Sequence, residues 1–290
     1  MGAPIKGRPV VVTGAGNGIG AALANEASSR GASAVAVVDI DLADAERVAG
    51  EIDRAVAYHC DVTDKSSVDS MAEAVLDSHG LPGLVCANAG VGPAGGPLLE
   101  TDPSQVEWVL GVNVIGVLST MQAFGQRMVS GADPGWLMAT GSEHSLGRPH
   151  LGMGIYTASK HAVFGMCDVL RGELPEHVGV SLLCPGLTTS MLWNASAKRP
   201  DSFGGPADGD QMGAVVMEAG MDASVVAQRA LDGAEAGRFV IPTHYNALDY
   251  AEARWTEVAE AFDELSRIDT STWHVDDVAA DLIAQMMADD

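Results

Sequence analysis

At 290 residues, 47% of them hydrophobic, the chain is long and apolar enough for one large α/β domain, although length alone also permits two. Its 16 Lys and Arg against 39 Asp and Glu leave a formal net charge of −23, which excludes the clustered basic surface that nucleic-acid binding requires. The four cysteines, Cys60, Cys86, Cys167 and Cys184, form no CxxC pair, so buried reduced thiols are expected and a metal site is not. Gly7, Arg8 and Pro9 lead directly into Val10, Val11 and Val12, without a basic region ahead of an apolar one. No run approaches the roughly 20 apolar residues of a membrane span, and a cytoplasmic protein without a membrane partner is expected.

In chain order, short β-branched and apolar runs alternate with segments of helical period. Strands are predicted at Val10–Thr13, Ala34–Val38, Ala55–Cys60, Leu84–Ala87, Trp136–Thr140, Val178–Cys184 and Phe239–Ile241. Helices are predicted near 18–30, 64–79, 103–130, 155–173 and 222–236. This alternation implies an α/β fold with a doubly wound parallel sheet flanked by helices. The run Lys198–Gly213, rich in Pro, Gly and Asp, is long enough for a mobile lid, placing a substrate lid near 190–222. Residues 1–242 are read as one domain and 243–290 as a C-terminal helical extension. In the extension Leu248, Ala251, Trp255, Val258, Phe262 and Leu265 make an amphipathic stripe, which with Val275, Val278, Leu282, Ile283 and Met286 could pack across subunits or roof the pocket.

After the first strand comes Thr13, Gly14, Ala15, Gly16, Asn17, Gly18, Ile19, Gly20, spaced TGxxxGxG, and then a helical run. Glycines here let the backbone turn tightly and approach a pyrophosphate, whose charge the helix N-terminus favours. The second strand ends at Asp39, nineteen residues beyond Gly20, where a carboxylate reaches ribose hydroxyls. That charge repels a 2′-phosphate, and no Arg or Lys stands at 15, 17 or 40, so NAD is expected over NADP. Asp61 and Val62, after the third strand, face the same crevice, and Asn88, Ala89 and Gly90 end the fourth strand beneath the cofactor.

Tyr156 and Lys160 are four apart in a helical segment, which puts them on one face about 6 Å apart at Cα. A phenol with an ordinary pKa of ~10 is a poor base near neutrality, and an adjacent ammonium favours its ionised form. The pair therefore suits acid/base work.

Taken together, TGAGNGIG at 13–20, Asp39, Asp61, NAG at 88–90, Asn113, Ser142, YTASK at 156–160 and PG at 185–186 resemble the classical short-chain dehydrogenase/reductase family, in that family's order over roughly residues 7–242. The resemblance implies a Rossmann-type oxidoreductase, a homodimer or homotetramer, that moves hydride between nicotinamide and a carbonyl or alcohol carbon. It implies that Tyr156 exchanges the proton, that Lys160 holds the nicotinamide ribose and lowers the Tyr156 pKa, and that Ser142 orients the substrate oxygen. Asn113 would support a water-mediated proton relay behind Lys160. Pro185, Gly186, Thr188 and Ser190 would hold the nicotinamide end.

Two departures stand out. The usual serine lies about thirteen residues before the tyrosine, where this chain has Glu143, so Ser142 and Ser145 are the candidates. Ser142 is favoured because it directly follows the fifth strand and Gly141. In the PGxVxT pattern, Thr188 replaces the aliphatic position and Ser190 the hydroxyl residue.

Met191, Leu192, Trp193, Met212, Val215, Val216, Met217 and Met221 suit an adaptable apolar pocket, and His144, His150, Leu151 and Met153 lie between the serine and the tyrosine. The substrate expected is a bulky, apolar secondary alcohol or ketone, aromatic or steroid-like. The rival reading is a noncatalytic NAD-binding sensor or interaction protein on the same fold.

Overall fold

The computed structural model describes residues 1–92 and 95–266, apart from the side chains of Met212 and Ser266. Val275, Val278, Leu282, Ile283 and Met286 lie outside the described residues. Seven parallel strands form one sheet in the order β3-β2-β1-β4-β5-β6-β7. They are β1 (Pro9–Thr13), β2 (Ala34–Asp39), β3 (Ala55–His59), β4 (Leu84–Ala87), β5 (Gly135–Thr140), β6 (Val178–Cys184) and β7 (Val240–Pro242). The chain winds outward from β1 to β3 and then restarts beside β1 with β4, so the order reverses between β1 and β4, where open α/β sheets bind ligands.

The helices are α1 (Gly18–Ser29), α2 (Leu42–Gly50), α3 (Lys65–His79), α4 (Pro103–Leu110), α5 (Val117–Ser130), α6 (Gly154–Glu173), α7 (Gln211–Glu218), α8 (Ala223–Glu235) and α9 (Ala247–Ser266). Alternation along β1 shows how they cover the sheet. Val10 and Val12 pack with Leu23, Ala27, Val48 and Leu231 on one face, and Val11 packs with Val75, Phe124, Val163 and the rest of the other layer. Both faces are thus buried, which is why the strands read as continuous apolar runs. All four cysteines are free and buried.

Several expectations are corrected. The predicted helix 103–130 is two helices joined by a π-helical turn, Gly111–Gly116, because an extra residue per turn is accommodated around Asn113. This rod, Pro103–Ser130, does have the length and apolarity of a membrane span, with a mean hydropathy of 1.4. It is a core helix, since 61% of that window is buried. Helix α2 went unread because Leu42, Ala45 and Val48 give too short an apolar stripe, yet Asp41 caps it through the Ala43 and Asp44 amides. The segment 190–222, read as a substrate lid, carries 3₁₀ turns at Leu192–Lys198 and Asp201–Phe203 and helix α7. The Ala207 amide donates to the Ser196 carbonyl at 3.0 Å.

By contact density the chain forms two units, Met1–Tyr250 and Ala251 onward. In the second, Trp255, Val258, Phe262 and Leu265 of the helical stripe are exposed.

Candidate active site

The site lies at the carboxyl ends of β1, β2, β4, β5 and β6, where one cleft of about 540 Å³ runs between the strand tips and the segment after Ser190. Gly14, Asn17, Gly18, Ile19, Gly20, Asp39, Asp61, Val62, Asn88, Ala89, Gly90, Ser142, Tyr156, Lys160, Pro185, Gly186, Thr188 and Ser190 all line it. Asn113 does not.

At one end of the cleft the backbone makes the site. Gly14 has φ +64°, and a Cβ there would stand 2.7 Å from the Ala89 Cα; a Cβ on Gly20 would stand 2.0 Å from the Gly14 carbonyl oxygen. Asn17, at the N-cap of α1, makes no side-chain cap bond, so the first-turn amides point outward from a positive helix end. This is a cradle of a size and polarity that fits a pyrophosphate. Asp39, buried at the tip of β2, accepts from the Gly16 amide at 2.8 Å and the Asp41 amide at 3.0 Å. Each oxygen keeps lone-pair capacity for a ribose hydroxyl. The residues present therefore fit a nicotinamide dinucleotide.

Some residues read as cofactor contacts also fasten the strand ends. The Asn88 amide donates to the Thr13 carbonyl at 3.0 Å and accepts from the Thr140 hydroxyl at 3.0 Å, tying β4 to β1 and β5. Asp61 accepts from the Thr63 amide and hydroxyl, closing a turn. Two cations escaped the sequence reading. Arg47 of α2 and Lys198 reach the cleft near Asp39, where Arg47 donates to the Gly16 carbonyl at 2.7 Å and Lys198 pairs with Asp41 at 3.1 Å and with Asp44.

At the other end side chains make the site. Tyr156 and Lys160 project from the first turns of α6, both buried, with the Lys160 Nζ 5.4 Å from the tyrosine ring centroid. Lys160 donates to the Thr140 carbonyl at 2.9 Å, which fixes its long side chain across the end of β5. Ser142 stands beside the tyrosine hydroxyl, whose pKa it lowers, and donates to the Pro185 carbonyl at 3.5 Å, whereas Ser145 donates to the Lys160 carbonyl at 2.8 Å and accepts from the Ser142 amide. Of the two candidates, Ser142 flanks the phenol and Ser145 shapes the loop. Asn113 accepts from the Val91 amide at 2.8 Å and donates to the Val91 carbonyl and to Ser159, holding the chain beyond β4 against α6.

Burial dominates the electrostatics. It pushes the Tyr156 phenol up to about 12, with Ser142 lowering it and the Glu143 carboxylate raising it further. It brings the Lys160 ammonium down to about 8. The expected ionisation of Tyr156 by Lys160 is thus outweighed by desolvation in the chain on its own. His144, brought down to about 4 by burial, is neutral; its Nδ1 meets the Thr157 hydroxyl at 2.8 Å and its ring stands edge-on to Tyr156. His244, just beyond β7, accepts from the Gly186 amide at 3.0 Å and meets the Leu187 carbonyl at 2.9 Å, so it shapes the Pro185–Leu187 loop. No sequence spacing ties it to that loop. Glu143, His144 and His150 bring one potential ligand atom each within 4.8 Å of one another, a grouping that the expectation of no metal site did not foresee.

Of the residues proposed for an apolar pocket, Met191, Leu192, Met217, His144, His150 and Met153 line the cleft. Trp193, Val215, Val216, Met221 and Leu151 do not.

The sequence profile of the short chain dehydrogenases matches residues 8–200. The chain belongs to the short-chain dehydrogenase/reductase family. Probable oxidoreductase EphD of Mycobacterium tuberculosis is 39% identical over 188 residues, a match covering 63% of this chain and 31% of that protein. This family member thus spans less than a third of that relative's length. The 1-deoxy-11-beta-hydroxypentalenate dehydrogenase of Streptomyces arenae is 34% identical over 223 residues, covering 73% of this chain and 78% of that one. A short-chain dehydrogenase/reductase from Burkholderia phymatum in complex with NAD superposes with a TM-score of 0.83 at 30% identity, covering 93% of this chain and 99% of that one.

Proposed function

We propose that this short-chain dehydrogenase/reductase interconverts an apolar secondary alcohol and its ketone with NAD as cofactor. The observation that carries this reading is the buried Tyr156 phenol, flanked by Ser142 and backed by Lys160, in the same cleft as Asp39. The relative that bears the name of a hydroxypentalenate dehydrogenase favours an apolar alcohol, and the NAD complex of the Burkholderia protein favours NAD.

In alcohol oxidation Tyr156 accepts the hydroxyl proton and Ser142 holds the same oxygen by a second hydrogen bond. When bound, the nicotinamide supplies the hydride acceptor and a positive charge that favours the phenolate. Lys160, pinned by Thr140, reaches toward the ribose side of the cleft, and Asn113 keeps α6 and the β4 end in register. Asp39 accepts from ribose hydroxyls, and its negative charge disfavours a 2′-phosphate even with Arg47 and Lys198 nearby, since both cations are already paired with acidic groups. Met191, Leu192 and Met217 cover the substrate with adaptable apolar surface. Family membership further favours a homodimer or homotetramer, which sedimentation analysis decides.

Tyr156→Phe is expected to lower kcat for secondary-alcohol oxidation by about 10³-fold while NAD affinity holds within about twofold. NAD binding without any turnover by the wild-type chain, across a panel of apolar alcohols and ketones, supports the noncatalytic sensor instead.

A further inference from the structure

Glu143 directly follows Ser142, so consecutive residues present a hydroxyl and a carboxylate to one end of the cleft, their Cα atoms about 3.8 Å apart. Only 7% of the Glu143 side chain is exposed. Its Oε1 lies 3.7 Å from the His150 Nε2, but no described group hydrogen-bonds its buried Oε2. That oxygen sits 2.9 Å from where a Cβ on Gly186 would stand, and both residues line the cleft with Tyr156. A carboxylate oxygen taken out of water without a donor is costly, and a ligand that donates to it recovers that cost.

We propose that Glu143 forms a second substrate subsite that accepts a hydrogen bond from a hydroxyl on the carbon next to the reacting one. The preferred substrates are then vicinal diols, and in the reverse direction α-hydroxy ketones, carried on an apolar frame. This rests on the secondary-alcohol reading above and names its substrate class. In oxidation the reacting C–H leaves as hydride to the nicotinamide, its O–H proton passes to Tyr156, and the C=O bond forms. The neighbouring hydroxyl stays intact on Glu143.

Burial raises the Glu143 carboxyl above its ordinary range, which suits a neutral hydroxyl better than an ammonium. Its charge also opposes the Tyr156 phenolate, so a hydroxyl donating to it eases proton transfer next door. A cation is the rival occupant, since Glu143, His144 and His150 bring one potential ligand atom each within 4.8 Å of one another.

The test compares trans-cyclohexane-1,2-diol with cyclohexanol by NADH formation, using the full chain with NAD, and checks each variant by thermal melting. The wild type is expected to favour the diol at least tenfold in kcat/KM. Glu143→Leu is expected to lower that ratio at least tenfold, and Glu143→Gln, which keeps an acceptor oxygen, to leave it intermediate. A wild-type ratio near one overturns the subsite whether or not the variants fold, as does an unchanged ratio in a folded Glu143→Leu. Zinc that alters wild-type turnover but not that of Glu143→Leu assigns the cluster to a metal and also overturns it. If neither alcohol reacts while NAD binds, the dehydrogenase reading fails and the subsite with it; turnover of both with equal ratios sinks the subsite alone.

Discussion

The two ends of the cleft are built by opposite means. The Gly14–Gly20 end is made of main chain, with close approaches that only glycine permits and a helix terminus that presents amides. The Ser142–Tyr156 end is made of side chains gathered from β5, α6 and the loops after β6 and β7, each pinned by a bond to another element. The first can bind the constant part of a cofactor with little reference to side-chain identity. The second changes its chemistry whenever one side chain changes, which is where a family of shared fold diversifies.

Gly20→Val breaks the main-chain end most severely. Its Cβ has no room beside the Gly14 carbonyl, so NAD affinity is expected to fall more than a hundredfold and the melting temperature to drop, as read by calorimetry. If NAD affinity survives, the cradle is not the binding site. The pH profile probes the side-chain end. Because burial holds the Tyr156 phenol high, the deprotonated form that accepts the alcohol proton becomes more populated as pH rises. Alcohol oxidation should climb by up to about tenfold per pH unit from pH 6, while ketone reduction, served by the protonated phenol that predominates throughout, stays flat. The climb slows above about 8, where Lys160 loses its charge. An oxidation profile flat from pH 6 to 9 removes the phenol from the proton transfer. Asp39→Ser is the smallest perturbation. It removes the charge but keeps a hydroxyl, and the NAD over NADP ratio of kcat/KM is expected to fall about tenfold; an unchanged ratio separates cofactor choice from Asp39.

The main-chain end was legible because its signal is local. Gly14 to Gly20 and Asp39 occupy one strand, one helix and the next strand, and their spacing follows from the length of that unit. The strands were legible for a related reason: a sheet covered on both faces leaves unbroken apolar runs. The π turn at Gly111–Gly116 was not, since its residues differ little from those of a regular helix and the distortion follows from packing around Asn113. His244 and Glu143 were beyond reach as partners of Gly186, because 58 and 43 residues separate them from it and only the sheet brings them together.

Sequence alone determined the alternation of elements, the glycine turn, the acidic tip of β2 and the placing of Tyr156 and Lys160 on one helical face. These depend on period and short spacing, which the backbone imposes. Tertiary structure decided which serine flanks the phenol, that burial outweighs the ammonium beside it, and that a carboxylate oxygen with no described hydrogen-bond donor stands above Gly186. Those depend on desolvation and on contacts between distant segments, and neither quantity exists until the sheet has closed over them.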